Sequence, residues 1–388
     1  MTDSYPIYLD YHATTPVDPR VAEKILHYMT VEFGNANSID HIYGDRTQKA
    51  VSQAARQVAE LVGASPREII FTSGATESIN LAIQGSIINH QSPYSPTIAV
   101  SPVEHPAVLD TGQALVKQGL IDITYLSVDQ QGKIDLASVH KVCQDGVSLL
   151  CMMAANNEIG TIYPMAEIAK IAQAHQVPFL CDGSQAVGKI PINFEEWGIT
   201  YLAISGHKLY GPKGVGALVA RKGYPLKPIL FGGGHQGGIR SGTLNVPGIV
   251  GLGEACRLRG LEMAEDEAKI ANLRDKLQDL LLDKIPGLVI NGDINHRLSG
   301  NLHISIPDVP NSAIIARVRD RLAISTGAAC SSGVEAPSHV LRAIALSPNA
   351  MEGALRIGIG KFTTEPEIDR AAEILGGAIG TIREVMEP

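Results

Sequence analysis

Short apolar runs of strand length alternate along the chain with longer stretches of helical periodicity. Residues 67–88, REIIFTSGATESINLAIQGSII, read as strand, turn and helix. PTIAVSP (96–102) and IDITYLSV (121–128) read as strands around a helix at 106–119. VSLLCMMA (147–154), VPFLCDG (177–183), YLAISGH (201–207) and VGALVA (215–220) read as further strands, with a helix at 165–176. Near-continuous apolar strands alternating with helices predict an α/β fold: a mainly parallel sheet covered by helices on both faces. The texture changes near residue 246. A long helical pattern at 247–284, interrupted by glycines, leads into a smaller α+β unit. The expected division is a large domain at 15–260 and a small one formed by 1–14 and 261–388.

Composition narrows the function classes. The chain has 388 residues, 45% hydrophobic and 19% charged, with a formal net charge of -8. No basic stripe supports nucleic-acid binding. No apolar run reaches the ~20 residues that span a bilayer, and the start carries no secretory pattern. The expectation is a cytoplasmic protein. Of five cysteines, none forms a CxxC pair, which argues for free thiols and against a metal site. Cys151 and Cys181 lie in apolar strands and read as core filler. Cys330 differs: it lies in STGAACSSGVEAPS, whose small residues suit a loop.

Ligands of open α/β sheets bind beyond the carboxyl ends of the strands. Four such ends carry polar signals: SGATES (73–78), VEH (103–105), CDGSQ (181–185) and SGHK (205–208). SGATES suits an anion cradle at a helix start, or a plain N-terminus capped by Ser73 or Thr76. Asp182 suits either a structural ion pair or a protonated ring nitrogen. His105 is either a satisfied histidine near a cap or a stacking, proton-handling ring. Together with Lys208, these groups fit pyridoxal 5'-phosphate, which needs a Schiff-base lysine, an acidic partner and a phosphate site.

The chain resembles the pyridoxal-phosphate-dependent cysteine desulfurases of the NifS and IscS type, within the class-V aminotransferases. The blocks include YLDYHATTPVDPRV (8–21), FTSGATESINLAI (71–83), NNEIGTI (156–162) and DGSQAVGKIPI (182–192). SGHKLYGPKGVGAL (205–218), GGGHQGGIRSGTLNVP (232–247), STGAACSS (325–332) and LRIGIGKFTTEPEID (355–369) continue the match. The resemblance implies a fold-type I transferase with a seven-stranded large-domain sheet, and a homodimer. It implies removal of sulfur from L-cysteine, giving L-alanine and a persulfide on Cys330 that supplies iron–sulfur clusters and other thio-cofactors. It makes Lys208 the Schiff-base lysine, pairs Asp182 with the ring nitrogen and brings Gln185 and Asn157 to the phenolic oxygen. His105 becomes the stacking acid–base group. Ala75, Thr76, Ser205 and His207 become phosphate ligands, with Thr243 reaching the other subunit's cofactor. Arg356, with Asn157, binds the substrate.

Selenocysteine lyase and cystine or cysteine lyase on the same fold are the alternatives. His12 stands where the family more often has a small residue, either crowding the site mouth or without consequence. The chain stops at REVMEP, so the expectation is that sulfur acceptors such as a cluster scaffold are reached without the IscS-type docking tail.

Overall fold

The computed structural model of the chain describes residues 5–87, 95–327 and 338–386. Strand β1 (Ile7–Tyr8) opens the fold. The large sheet is built from β2 (Ile69–Thr72), β3 (Thr97–Val100), β4 (Asp122–Tyr125), β5 (Leu149–Met153), β6 (Phe179–Asp182), β7 (Tyr201–Ser205) and β8 (Gly216–Ala220). Their order is β2-β8-β7-β6-β5-β3-β4. The mainly parallel seven-stranded sheet expected from the sequence is present. β8 alone runs against the rest, pairing antiparallel with both β2 and β7. It is antiparallel because SGHKLYGPKG turns the chain straight back beside β7, whereas the parallel strands need helical crossovers.

Side chains alternate across the sheet. Leu150 and Met152 of β5 join one apolar core, with Val51 and Val58 of helix Ile42–Val62 and Ile168 of helix Met165–Ala174. Leu149 and Cys151 join the opposite core, with Ile79 and Ile83 of helix Ala75–Ile87 and Val108 of helix Pro106–Lys117. Strands flanked on both faces this way need no polar stripe, which explains their continuous apolar sequences. None of the described helices is long and apolar enough to cross a membrane.

A second, antiparallel sheet contains β9 (Val289–Ile290), β10 (Asn301–Ser305) and β12 (Ala354–Gly358), in the order β12-β10-β9. β11 (Leu322–Ala323) pairs parallel with β1. Bridges from Asp10 to Gly358 and from Ser325 to Arg356 fasten both segments to β12. Leu302, Leu355 and Leu375 lie in the core beneath this sheet.

Helix Val246–Lys284 serves both units. Ile249, Leu252 and Cys256 pack in the first core, whereas Ile270, Leu277 and Leu281 pack in the core of the smaller sheet. Between them no residue from 261 to 269 is buried. Arg259 spans this stretch from within the same helix, pairing with Asp266 and with Glu267 at 2.9 Å. The glycines that interrupt its sequence pattern do not break the helix. At Gly253 a Cβ would lie 2.6 Å from Cα of Ala54, so glycine permits the close crossing with helix Ile42–Val62.

Two glycines of this helix therefore respond oppositely to alanine. Gly253→Ala should destabilise the fold by about 1–2 kcal/mol, overpacking outweighing the gain in helix propensity. Gly260→Ala, where the nearest atom to a new Cβ is Leu61 Cδ1 at 3.9 Å, should stabilise it by up to about 1 kcal/mol. Urea unfolding of both variants measures the sign directly.

Candidate active site

A cavity of about 640 Å³ opens at the carboxyl ends of the large-sheet strands. That volume suits a small-molecule site. All four strand-end signals reach its wall, through Ser73–Glu77, His105, Asp182 with Ser184 and Gln185, and Ser205 with His207 and Lys208. Gly216 allows the first of these to come close. A Cβ there would sit 2.7 Å from Gly74 Cα, so the turn before helix Ala75–Ile87 lies directly on β8.

Lys208 follows β7. Its Nζ donates to the carbonyls of His12 at 2.5 Å and Ala13 at 2.7 Å. Burial, then Lys189 and Arg356, push its pKa from 10.5 down to about 7, against the opposing pull of Asp10 and Asp182. A sizeable share of neutral amine is therefore present at neutral pH, as a nucleophilic lysine requires. Asp182, buried at the end of β6, accepts from Ser184 N at 2.9 Å and Ser184 Oγ at 2.5 Å through a single oxygen, Oδ1. Gln185 is tied at both ends: Nε2 donates to the His12 carbonyl and Oε1 accepts from Lys189 Nζ, each at 2.9 Å.

Ala75 and Thr76 occupy the first turn of their helix, where N–H groups lack intrahelical acceptors and the dipole favours an anion. Ser205 and His207 line the same wall. His207 Nδ1 lies 3.1 Å from Thr14 Oγ1, and burial with Lys208 and Lys213 holds its pKa down at about 4. Glu77 accepts from Ser73 N and from Arg240, which pins the 232–243 segment against this helix. Thr243, on that segment, is exposed and does not line this cavity.

His105 caps helix Pro106–Lys117, its Nδ1 accepting from Ala107 N at 3.1 Å. The cap and the site-facing ring are thus compatible, because an accepting Nδ1 places the neutral ring's hydrogen on Nε2. The ring is open to the cavity, yet enough protein surrounds it for desolvation to lower its pKa, with Asp182 opposing. Across the cavity Arg356 is buried. Its Nη2 meets Asp10 Oδ1 at 2.9 Å and its Nη1 donates to the carbonyl of Asn157 at 3.2 Å. Sequence reasoning gave Asp10 no role, since its partner lies 346 positions away.

Cys330 lies outside the described residues. Ser325 and Gly327, shortly before it, line the cavity. Ser338, the first described residue after it, donates its hydroxyl to Glu158 at 2.9 Å. Cys143, Cys151, Cys181 and Cys256 are all buried, as the apolar setting of Cys151 and Cys181 predicts. Burial pushes every one of these thiols upward, Cys143 to about 11 and Cys256 to about 12, so none offers a thiolate at neutral pH.

Residues 7–371 match the Aminotransferase class-V family, and the chain belongs to that family. It is 44% identical to the cysteine desulfurase IscS of Anaeromyxobacter dehalogenans (strain 2CP-C) over 382 residues, 98% of this chain and 94% of that protein. A solved NifS-like protein superposes with a TM-score of 0.90 at 34% identity, covering 97% of this chain and 100% of the other. SspA, solved in complex with cysteine, gives a TM-score of 0.80 at 32% identity, covering 92% and 99%. Within the family, the chain groups with the cysteine desulfurases of the IscS and NifS type.

The depressed basicity of Lys208 has a direct readout. Acylation of the ligand-free protein, mapped by mass spectrometry, should label Lys208 with a midpoint near pH 7. Exposed lysines should follow an ordinary lysine midpoint, about 10.4. An alkaline midpoint at Lys208 would contradict the electrostatics described.

Proposed function

We propose that the cavity binds pyridoxal 5'-phosphate and L-cysteine, and that the chain is a cysteine desulfurase converting L-cysteine to L-alanine with a persulfide on Cys330. The observation that carries this reading is a lysine amine brought near neutrality, in one cavity with a buried carboxylate, a helix start and a buried guanidinium. The donor set fits the cofactor. Ala75, Thr76, Ser205 and His207 suit its phosphate, and the Asp182 carboxylate suits a protonated ring nitrogen. Gln185 and Asn157 suit its phenolic oxygen, and His105 can stack on its ring. Thr243, exposed and off this cavity, is assigned to the phosphate of a second subunit, in a homodimer.

When bound, the cofactor supplies an electron sink that stabilises negative charge at the substrate Cα. Lys208 acts as the neutral amine that holds the cofactor and then carries the Cα proton. Asp182 keeps positive charge favourable at the ring nitrogen. Arg356, oriented by Asp10, takes the substrate carboxylate in a planar two-point contact. His105, lining the cavity with its hydrogen on Nε2, handles the protons exchanged near the substrate sulfur. The Cys330 thiolate attacks that sulfur. A sulfur–sulfur bond forms, the carbon–sulfur bond breaks, and its electron pair stays on Cβ, which is then protonated. Overall, L-cysteine plus the Cys330 thiol gives L-alanine plus the Cys330 persulfide, with atoms and electrons balanced.

In this reading residues 15–260 bind the cofactor, while 1–14 and 261–388 contribute Arg356 and the Cys330 segment. The persulfide then passes to acceptor proteins, a cluster scaffold among them, in the cytoplasm.

Incubation with L-cysteine, with alanine and sulfide quantified, tests the assignment. Wild type should form alanine. Cys330→Ala should lose about two orders of magnitude or more of that turnover while keeping the cofactor's visible absorption. Lys208→Ala should lose the absorption of covalently held cofactor. Equal alanine formation by wild type and Cys330→Ala would instead indicate a lyase that releases sulfur directly.

A further inference from the structure

His12 lies in the turn after β1, is 2% exposed, and lines the same cavity as Lys208 and Arg356. Its tautomer follows from its neighbours. Gln185 Nε2 donates to the His12 carbonyl, which turns Gln185 Oε1 towards Lys189 Nζ. The same Oε1 lies 3.3 Å from His12 Nδ1. An amide oxygen only accepts, so Nδ1 carries the hydrogen and Nε2 a bare lone pair. That Nε2 is buried and has no hydrogen-bond partner among the described residues. A buried acceptor left unpaired is costly, and a ligand that brings a donor removes the cost.

The surroundings indicate which donor. Lys189 after β6, Lys208 after β7 and Arg356 on β12 are the cations that face the ring, and together with burial they hold it neutral. Asp10 and Asp182 share the cavity but are engaged by Arg356 and Ser184. His105, His207, Lys213 and the Arg240-paired Glu77 complete its charged and titratable wall. The Cδ2 edge of the ring packs on Gly358, where a Cβ would lie 3.0 Å away, two positions from Arg356. Arg356 and His12 line the same cavity, so an amino acid held there by its carboxylate shares the space with the His12 ring.

We propose that His12 is a further catalytic residue, whose bare Nε2 takes the proton of the incoming amino acid's α-ammonium group. The N–H bond breaks, its electron pair stays on the substrate nitrogen, and the products are a free amine and an imidazolium. The imidazolium, ringed by cations, returns to neutrality by releasing the proton through the cavity to solvent, which leaves the freed Lys208 amine neutral for the Cα proton. This assignment rests on the amino-acid substrate proposed above.

The holoenzyme and its H12A and H12N variants test it. Asparagine places an N–H near the position of Nδ1, keeping the contact to Gln185, but offers nothing at Nε2. The two readouts are the dissociation constant of L-alanine, which has the ammonium group but no sulfur, and kcat/KM for L-cysteine. Both are followed from neutral to alkaline pH. At neutral pH both variants should bind L-alanine about tenfold more weakly, the worth of one hydrogen bond. Their kcat/KM should fall about 10²-fold, within the range of general-base catalysis. The kcat/KM deficit should close at alkaline pH, where the substrate arrives as the free amine, whereas the binding deficit should persist because the free amine keeps its N–H donors. If H12N matches wild type, the ring only holds Gln185 and the proposal is overturned. A kcat/KM deficit constant across pH, or no deficit in H12A, overturns it as well. Wild-type enzyme that binds L-alanine but makes none from L-cysteine would instead remove the desulfurase reading, while the binding deficit of the variants would still stand for His12.

Discussion

In the ligand-free chain Lys208 Nζ donates to two consecutive carbonyls, His12 and Ala13, tying the turn after β7 to the segment that runs between the molecule's two sheets. Those carbonyls belong to a segment that is not part of the large sheet. Its first residues pair with β11 and bridge to β12. Its last residues bond to the turn after β7, Thr15 N to the His207 carbonyl at 2.9 Å and Asp18 N to the Tyr210 carbonyl at 3.0 Å. Residues 7–18 thus act as a strap between the sheets. The reactive amine and the substrate-facing guanidinium are anchored to the same strap, Lys208 through residues 12 and 13 and Arg356 through Asp10. Their separation is set by a dozen residues of backbone rather than by the packing of two whole units.

The second organising feature is the excess of positive charge behind the cavity. Burial, with Lys189 and Arg356, lowers the basicity of Lys208, and burial, with Arg259 and Arg356, lowers that of Lys189, while Asp10 and Asp182 offset the effect on Lys208 only in part. Gathering cations in a low-dielectric interior is unfavourable for folding alone. It becomes favourable once ligands with a phosphate and a carboxylate arrive, and it supplies the neutral amine meanwhile. Stability is surrendered locally where the chemistry requires it.

Much of this was legible in the sequence, for identifiable reasons. The sheet could be read because strands covered on both faces are apolar throughout, and the cavity because polar residues follow directly on four strand ends. Three features were not. The ion pair of Asp10 with Arg356 joins residues too distant for local periodicity to register. Capping and ring exposure at His105 looked like rival explanations because each uses one nitrogen, and the backbone alone shows that they use different ones. The glycines near 250 read as interruptions, yet they mark where a neighbouring helix comes within contact of the backbone. The thiol proposed to carry sulfur sits at Cys330, outside the described residues, so its assignment rests on composition, the family resemblance and the inertness of the other four cysteines.

Helix Val246–Lys284 gives this arrangement a mechanical character. Its ends are embedded in different cores and its middle is unburied, so it behaves as a shaft clamped at both ends. The pairing of Arg259 with Asp266 and Glu267 stiffens the span between the cores from within, and Arg20 holds it from outside through Glu262 at 2.6 Å. Any change in the angle between the two sheets must bend or twist that span, and the elastic resistance is concentrated in fewer than three turns of helix. Strap and shaft join the same two bodies on separate paths, a closed linkage that leaves few independent motions between them.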